Sequence, residues 1–142
     1  EEDWQRTSAY AEVFQDWRAW LQEGILDMAI PMNYDRESEP KQKEWYDQWL
    51  EWEKNQPGDR HLVVGVGVYL NDLDESVAQI RRALAPSSTG RRAQGVCLYA
   101  YSETNRFGLS PAKFFRALTE SEGAGGPAIF GDAVQVPEMS WK

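Results

Sequence analysis

The side chains in this sequence that can act on a ligand follow three mostly apolar runs. Each group mixes phenols with amides, hydroxyls or carboxylates, and the groups are Asn33, Tyr34 and Asp35; Tyr69, Asn71 and Asp72; and Tyr101, Ser102, Glu103 and Asn105. Phenol rings can stack on the flat apolar face of a ligand, and amides and carboxylates can bond its hydroxyl groups. These residue types therefore suit a ligand rich in hydroxyl groups, such as a sugar.

Composition narrows the class of ligand. The 142 residues include 23 acidic and 15 basic ones, which gives a formal net charge of −8. Nucleic acids and anionic membranes need a concentrated positive surface, so this balance argues against both as partners. Hydrophobic residues make up 42% of the chain, enough for a folded core. No run reaches the roughly 18 apolar residues of a membrane span, and none resembles a signal peptide.

Hydrophobic periodicity predicts a regular alternation of helix and strand. The predicted elements, beginning with a helix, cover residues 8–23, 25–33, 40–55, 61–70, 74–85, 94–101 and 111–120. Gly24 is expected to end the first helix, and Ser110 and Pro111 are expected to begin the last. Pro31 cannot donate to a β-ladder and is expected near the end of its strand. The strands are apolar almost throughout, which is typical of a parallel sheet covered on both faces.

Several residues predict structure rather than chemistry. Trp45, Trp49 and Trp52 recur at i, i+4 and i+7, which favours a helix face packed on the sheet over a carbohydrate-stacking platform. Cys97 is the single cysteine, so it can form no internal disulfide and is expected to be a small buried hydrophobe. His61 has no second His or Cys near it, which argues against a zinc site or a Ser-His triad. It is expected to be an exposed residue at a strand start.

A Gly-x-Gly motif raises the alternative of a dinucleotide site. Gly65 and Gly67 form the motif, but the fingerprint needs a third Gly and an immediate helix, whereas residues 68–70 are predicted to continue the strand. Asp27 comes early in its strand and is expected to be structural. We therefore expect neither a cofactor nor a metal ion.

Alternating helices and apolar strands predict an α/β fold with a parallel sheet. Two architectures stay open, an open doubly wound sheet and part of a closed (β/α)8 barrel. A complete barrel has eight strands in typically about 250 residues, so three strands would be part of one. Three parallel strands alone would leave unpaired backbone groups at both edges of the sheet.

Three segments share a pattern with a known family. The pattern is a Trp-containing helix, a Gly, an apolar pair with Asp, and Pro-x-x-Tyr, then a Gly-rich strand and a last apolar strand, in residues 16–34, 62–71 and 96–102. It resembles the later barrel strands of the glycosyl-hydrolase-like family 10, a TIM-barrel, glycosidase-like family also described as a domain of unknown function. The resemblance covers roughly residues 8–105. It implies a partial (β/α)8 TIM barrel of about three βα units, near the sixth to eighth strands.

The family resemblance also implies domain limits and a function. Residues 1–122 would be the C-terminal portion of the barrel, and residues 123–142 a tail or a linker toward a further domain. The parent protein would be a glycoside hydrolase of the cell envelope or secreted, acting on a polysaccharide such as bacterial cell-wall glycan. This chain alone would be inactive. The alternatives are a non-catalytic carbohydrate-binding barrel and a scaffold module whose exposed sheet edges pair with another copy.

The resemblance places the site at the C-terminal ends of the strands, where barrel enzymes have their active sites. Glycoside hydrolysis uses two carboxyls, and the candidates here are Asp35 and Glu103. The substrate-binding candidates are the remaining strand-end groups, Asn33, Tyr34, Tyr69, Asn71, Tyr101 and Ser102. The alternative for each carboxyl is a solvated loop or helix-start residue, with one catalytic acid on another strand of the parent protein.

Overall fold

A parallel β-sheet with helices packed on one face forms the body of the protein. The computed structural model describes residues 3–56, 58–120 and 127–141. The strands are β1 (Met28–Ala29), β2 (Met32–Asn33), β3 (His61–Gly67) and β4 (Gly95–Tyr99). The strand β3 is central and pairs in parallel with β1 and β2 on one side and with β4 on the other. The predicted α/β fold with parallel strands is therefore confirmed.

The first predicted strand is interrupted in its middle. The pairs Met28 with His61 and Met32 with Gly65 share one register, so β1 and β2 continue the same line along β3. Pro31 lies between them, and its carbonyl accepts a hydrogen bond of 2.9 Å from the backbone N–H of Gly65. Because proline has no N–H to donate, the ladder is broken here. Pro31 thus lies two residues before the strand line ends at Asn33, consistent with the prediction, and it also divides that line in two.

The first predicted helix is two short helices. They are α1 and α2, which span Ser8–Ala11 and Trp17–Gln22. Each has its own N-cap, because the side chain of Thr7 accepts from Tyr10 N and that of Asp16 accepts from Ala19 N. Phe14, between them, has a φ of 56°, which a continuous helix does not allow. Gly24 follows α2 with a φ of 76°, consistent with the predicted helix end.

The three longer helices agree with the predictions to within about two residues. They are α3 (Pro40–Lys54), α4 (Leu73–Leu84) and α5 (Pro111–Thr119). The side chain of Ser110 accepts from the N–H of Lys113 at 3.4 Å and Pro111 begins α5, as expected. One boundary is wrong, since β3 ends at Gly67 and residues 68–70 form a 3-10 turn.

The hydrophobic core lies between the helices and one face of the sheet. Alternate residues of β3, Leu62, Val64 and Val66, point into it and are buried. They meet buried residues of α3, α4 and α5, namely Tyr46, Leu50, Val77, Ile80, Ala83, Phe114 and Leu118. The three helices therefore cover the same face of the sheet.

The tryptophans of α3 do not pack on the sheet. The buried stripe of α3 contains Tyr46, Leu50 and Glu53, and each tryptophan lies one position, about 100° of helix rotation, away from it. Trp52 instead stacks on Trp4, with ring centroids 5.2 Å apart, and Trp45 is 45% exposed. The prediction of a helix-to-sheet stripe at Trp45, Trp49 and Trp52 is wrong. These side chains face the N-terminal segment or solvent.

The opposite face of the sheet is uncovered within the described residues. Apolar side chains there are well exposed, with Met28 at 41%, Ile30 at 48%, Met32 at 74% and Tyr99 at 54%. The predicted cover on both faces is therefore wrong for the described chain. Cys97 is exposed, contrary to the expectation of a buried residue, because it pairs with Gly65 and lies on this face.

The C-terminal tail covers the N-terminal end of the sheet. The Trp141 ring lies 4.7 Å from the His61 ring, and its indole N–H donates to Asp27 Oδ1 at 2.7 Å. His61 is therefore only 5% exposed, and the prediction of an exposed histidine is wrong. The predicted domain limit at residues 122 and 123 lies outside the described residues. Within the described ranges, no helix is both long and apolar enough to cross a membrane.

Candidate functional site

The loop after β2 is held in place through its backbone. The carbonyl oxygen of Asp35 accepts hydrogen bonds from Asn71 Nδ2 and Gln79 Nε2, each at 3.0 Å. The next two backbone N–H groups also donate to side chains. Arg36 N donates to Gln42 Oε1, and Glu37 N donates to Asn71 Oδ1, each at 2.8 Å. Three consecutive residues are therefore fixed by α3, α4 and the turn before α4.

The two amides that hold this loop are completely buried. Asn71 and Gln79 are both 0% exposed, and Asn71 Nδ2 also lies 3.2 Å from Gln79 Oε1. Buried amides of this kind are normally hydrogen-bonded, and here their partners belong to the protein itself. Asn71, a candidate for substrate binding, therefore has its amide turned inward, where it positions Asp35.

An ion-pair network fixes the loop at its far end. Arg82 donates from Nη1 to Glu37 Oε1 at 2.9 Å and also bonds Asp47, while Lys43 Nζ lies 2.9 Å from Glu37 Oε1. Burial by itself would raise the pKa of Glu37, but the hydrogen bonds from Arg82 and Lys43 outweigh it and the pKa is lowered. Glu37 therefore stays ionised and structural.

The carboxyl group of Asp35 differs from that of Glu37. Within the described residues, no hydrogen bond or ion pair engages it, although the residue is half-buried. Burial raises the pKa of Asp35, because the charged form loses solvation that no neighbour replaces. A carboxyl with a raised pKa and a fixed backbone is a candidate for proton transfer.

Three tyrosines from three strand ends meet beside this loop. Tyr34 stacks on Tyr99, with ring centroids 5.3 Å apart and planes at 20°. Tyr69 packs edge-on against both, at 6.2 Å from Tyr34 and 5.9 Å from Tyr99. Burial is the largest effect that raises the pKa of Tyr34. The nearby Cys97, Tyr99 and Tyr69 raise it further. The cluster Tyr34, Tyr69 and Tyr99, here called the tyrosine cluster, offers aromatic surface at the C-terminal edge of the sheet.

A glycine makes room for the tyrosine cluster. A Cβ on Gly67 would lie 3.0 Å from Tyr34 Cβ, so any larger residue would push that ring away. Tyr99 was missed as a site candidate, since only the register that pairs it with Gly67 brings it next to Tyr34. The alternation of faces along β4, which places Tyr99 with Cys97, was the available signal.

Asn33 lies on the other face of the sheet. It is 6% exposed, and its Nδ2 donates to Glu53 Oε2 of α3 at 3.0 Å. Glu53 is 3% exposed, and burial raises its pKa to about 8 in spite of the hydrogen bond from Asn33 and the charge of Lys54. Asn33 is therefore a partner of a buried carboxyl and does not join the tyrosine cluster.

The residues after β4 lie in an exposed turn. Tyr101 is 77% exposed and stacks on Phe115 at 5.6 Å, and Ser102 is also exposed. Glu103 is exposed, and within the described chain no hydrogen bond or ion pair joins it to Asp35. The structure thus brings together Tyr34, Asp35 and Tyr69 from the predicted set, with Tyr99 added.

The described residues contain no candidate metal-binding group. No group of three His, Cys, Asp or Glu side chains in those residues is arranged to hold an ion. In the comparisons with known proteins, the chain matches no protein-family model, no curated protein and no solved structure. The family resemblance therefore rests on the sequence pattern of the three segments alone.

Proposed function

We propose that this chain supplies three consecutive βα units of a (β/α)8 barrel and one side of a glycan-hydrolysing site. The resemblance to the glycosyl-hydrolase-like family 10 implies the barrel, and Asp35, at a strand end, would be its acid or base. The observation that carries the proposal is the half-buried Asp35 carboxyl with a raised pKa, beside the tyrosine cluster at the C-terminal strand edge. Active sites of parallel barrels are built at this edge.

The arrangement of the layers supports a barrel over a doubly wound sheet. The three strand lines lie side by side in chain order, and α3, α4 and α5 all pack on one face. A doubly wound sheet carries helices on both faces, whereas a barrel keeps them outside and fills the inner face with apolar side chains. Met28, Ile30 and Met32 on the uncovered face suit that interior. Further strands from the parent protein would pair with the two outer edges.

Asp35 has the properties expected of a glycosidase carboxyl. A raised pKa keeps more of the protonated form near neutral pH, which a general acid requires. The hydrogen bonds from Asn71 and Gln79 fix the backbone that carries the carboxyl, so little freedom is lost when substrate binds. The tyrosine cluster can stack on a sugar ring next to that carboxyl.

Glu103 is the proposed partner on this chain. It follows β4, and Asp35 follows β2, so the two carboxyls come from the strand lines on either side of β3. Glycoside hydrolysis needs such a pair of carboxyls, one on each side of the scissile bond. An acid on another strand of the barrel would take its place if Glu103 is dispensable.

The test is release of reducing ends by the intact protein from neutral and peptidoglycan-derived glycans. Asp35→Asn should lower turnover by about 100-fold or more while the protein stays folded. Asp74→Asn, an exposed carboxylate on α4, is the matched control and should keep wild-type turnover. Wild-type rates in Asp35→Asn would remove Asp35 from the mechanism. Wild-type rates in Glu103→Gln alone would assign the second acid to another strand.

A non-catalytic carbohydrate-binding barrel is the second candidate. It is favoured by the exposure of Glu103, because no carboxyl of the described residues then contacts Asp35. This function predicts saturable glycan binding through the tyrosine cluster with no release of reducing ends. Binding without turnover by the intact protein would establish it over hydrolysis.

A further inference from the structure

We propose that a cavity on the outer surface, between the N-terminal segment and α3, is a second glycan-binding site. Its volume is about 360 Å³, and its lining residues are Asp3, Trp4, Thr7, Gln48, Trp49 and Trp52. This volume falls within the roughly 300–1,000 Å³ of small-molecule sites. None of these residues belongs to the tyrosine cluster or to the loop that carries Asp35, so the site does not depend on the proposed hydrolysis.

Trp49 is the residue that points to a ligand. Its half-buried ring borders this cavity and also a cleft of about 720 Å³ that runs along β1 and β2 to Tyr34 and Asp35. Trp4 donates its indole N–H to Asp16 at 2.9 Å, but no acceptor in the described chain receives the indole N–H of Trp49 or Trp52. Both tryptophans are only partly buried, so these N–H groups are open to solvent or to a ligand. Two indole donors therefore remain for a ligand.

The aromatic lining is preorganised. Trp52 stacks on Trp4 at 5.2 Å and 23°, and it meets Trp17 edge-on at 5.7 Å. Trp49 stands at 87° to Trp52, with centroids 5.4 Å apart. The cavity thus has two rings nearly at right angles, each held by its neighbours. A ligand that binds here immobilises few side chains, which lowers the entropic cost of binding.

The polar lining selects the class of ligand. Asp3 and Gln48 add a carboxylate and an amide, whereas the Thr7 hydroxyl is already bonded to Trp4 O and Tyr10 N. Among the described residues, no basic side chain lines the cavity. The whole chain has a net charge of −8, so an anionic ligand would meet repulsion without a counter-charge. Indole faces for apolar C–H groups and a rim of acceptors for hydroxyl groups fit a neutral oligosaccharide.

The test is calorimetric titration of the complete chain with neutral hexasaccharides, cellohexaose and chitohexaose, followed also by tryptophan fluorescence. Trp49→Ala should weaken binding roughly 10-fold or more, because the ring supplies much of the apolar contact area. Trp45→Ala is the matched control, because Trp45 lies on the same helix and does not line the cavity. Its ring instead contacts Lys41, whose Nζ lies 5.1 Å from the ring centroid. Binding should survive in Trp45→Ala.

A second variant guards against loss of folding. Gln48 is exposed, so Gln48→Ala should leave the fold intact and weaken binding a few-fold by removing rim hydrogen bonds. Three results would overturn the proposal: no binding of either hexasaccharide at millimolar concentration, equal losses in Trp45→Ala and Trp49→Ala, or loss in Asp35→Asn with binding kept in Trp49→Ala. The last would assign the binding to the strand edge. Failure of hydrolysis in the intact protein would leave this site unaffected.

Discussion

The buried carboxyl of Glu53 makes stability depend on pH in a direction that can be tested. Glu53 belongs to α3 and is 3% exposed, and its carboxyl accepts a hydrogen bond from Asn33 of β2 at 3.0 Å. Its pKa is raised from 4.5 to about 8, mainly by burial. In Glu53→Gln a neutral amide replaces it, keeps an oxygen to accept from Asn33, and no longer titrates.

The sign and size of the effect follow from linkage. A carboxyl whose pKa is higher in the folded state binds its proton more tightly there, so stability falls as pH rises from the unfolded toward the folded pKa. With pKa values of 4.5 and about 8, Glu53 should lower the free energy of unfolding by roughly 3 kcal/mol between pH 4.5 and pH 7.5. Glu53→Gln should lack this loss and become the more stable protein near pH 7.5.

The assay is urea denaturation of both proteins across this pH range. The difference in unfolding free energy between Glu53→Gln and wild type should grow by roughly 3 kcal/mol from pH 4.5 to pH 7.5. Glu44→Gln, which changes an exposed carboxylate on the same helix, should show no such growth. A difference that stays constant with pH would refute the account of Glu53 as a buried, protonated carboxyl.

Two further predictions concern the loop and the strand that carry the site. Asn71→Ala should lower the unfolding free energy by about 3 kcal/mol in urea denaturation, because the Asp35 carbonyl and the Glu37 N–H lose a buried partner. A loss below about 1 kcal/mol would mean that Asn71 does not hold the loop. Gly65→Ala should destabilise by about 2 kcal/mol or more, since its Cβ would lie 2.5 Å from the Pro31 carbonyl oxygen. Gly95→Ala, with open space around its Cβ, should change thermal stability far less, and equal effects would contradict the packing described.

The sequence was sufficient for the elements with long, regular periodicity. The helices α3, α4 and α5 and the strands β3 and β4 lie where the apolar spacing predicts them. The first helix failed because Thr7 and Asp16 each cap a separate short helix, and periodicity alone does not report caps. The tryptophans of α3 were misplaced because two apolar stripes, one residue apart, competed for the sheet.

The candidate site was predicted in part. Of the strand-end residues that the sequence singled out, Tyr34 contacts Tyr69 and shares a cleft with Asp35, and their role in a site stays a prediction. Asn33 does end its strand, but it points to the face opposite Tyr34 and bonds Glu53, because successive residues of a strand alternate between the two faces. Tyr99 depends on the register between β3 and β4, which no local pattern contains. The contacts that hold Asp35 come from residues 36 and 44 positions away and are visible only in three dimensions.

The most direct test of the account is a ¹³C NMR titration of the Asp35 carboxyl in the complete chain, with and without a neutral hexasaccharide. We expect a pKa above the ordinary aspartate value, assigned by loss of the signal in Asp35→Asn, and a further change when the sugar is bound at the tyrosine cluster. The sugar-dependent change should persist in Gln48→Ala, because Gln48 lines the outer cavity and not the cleft of Asp35. An ordinary pKa that the sugar leaves unchanged would contradict Asp35 as the carboxyl of a glycan site.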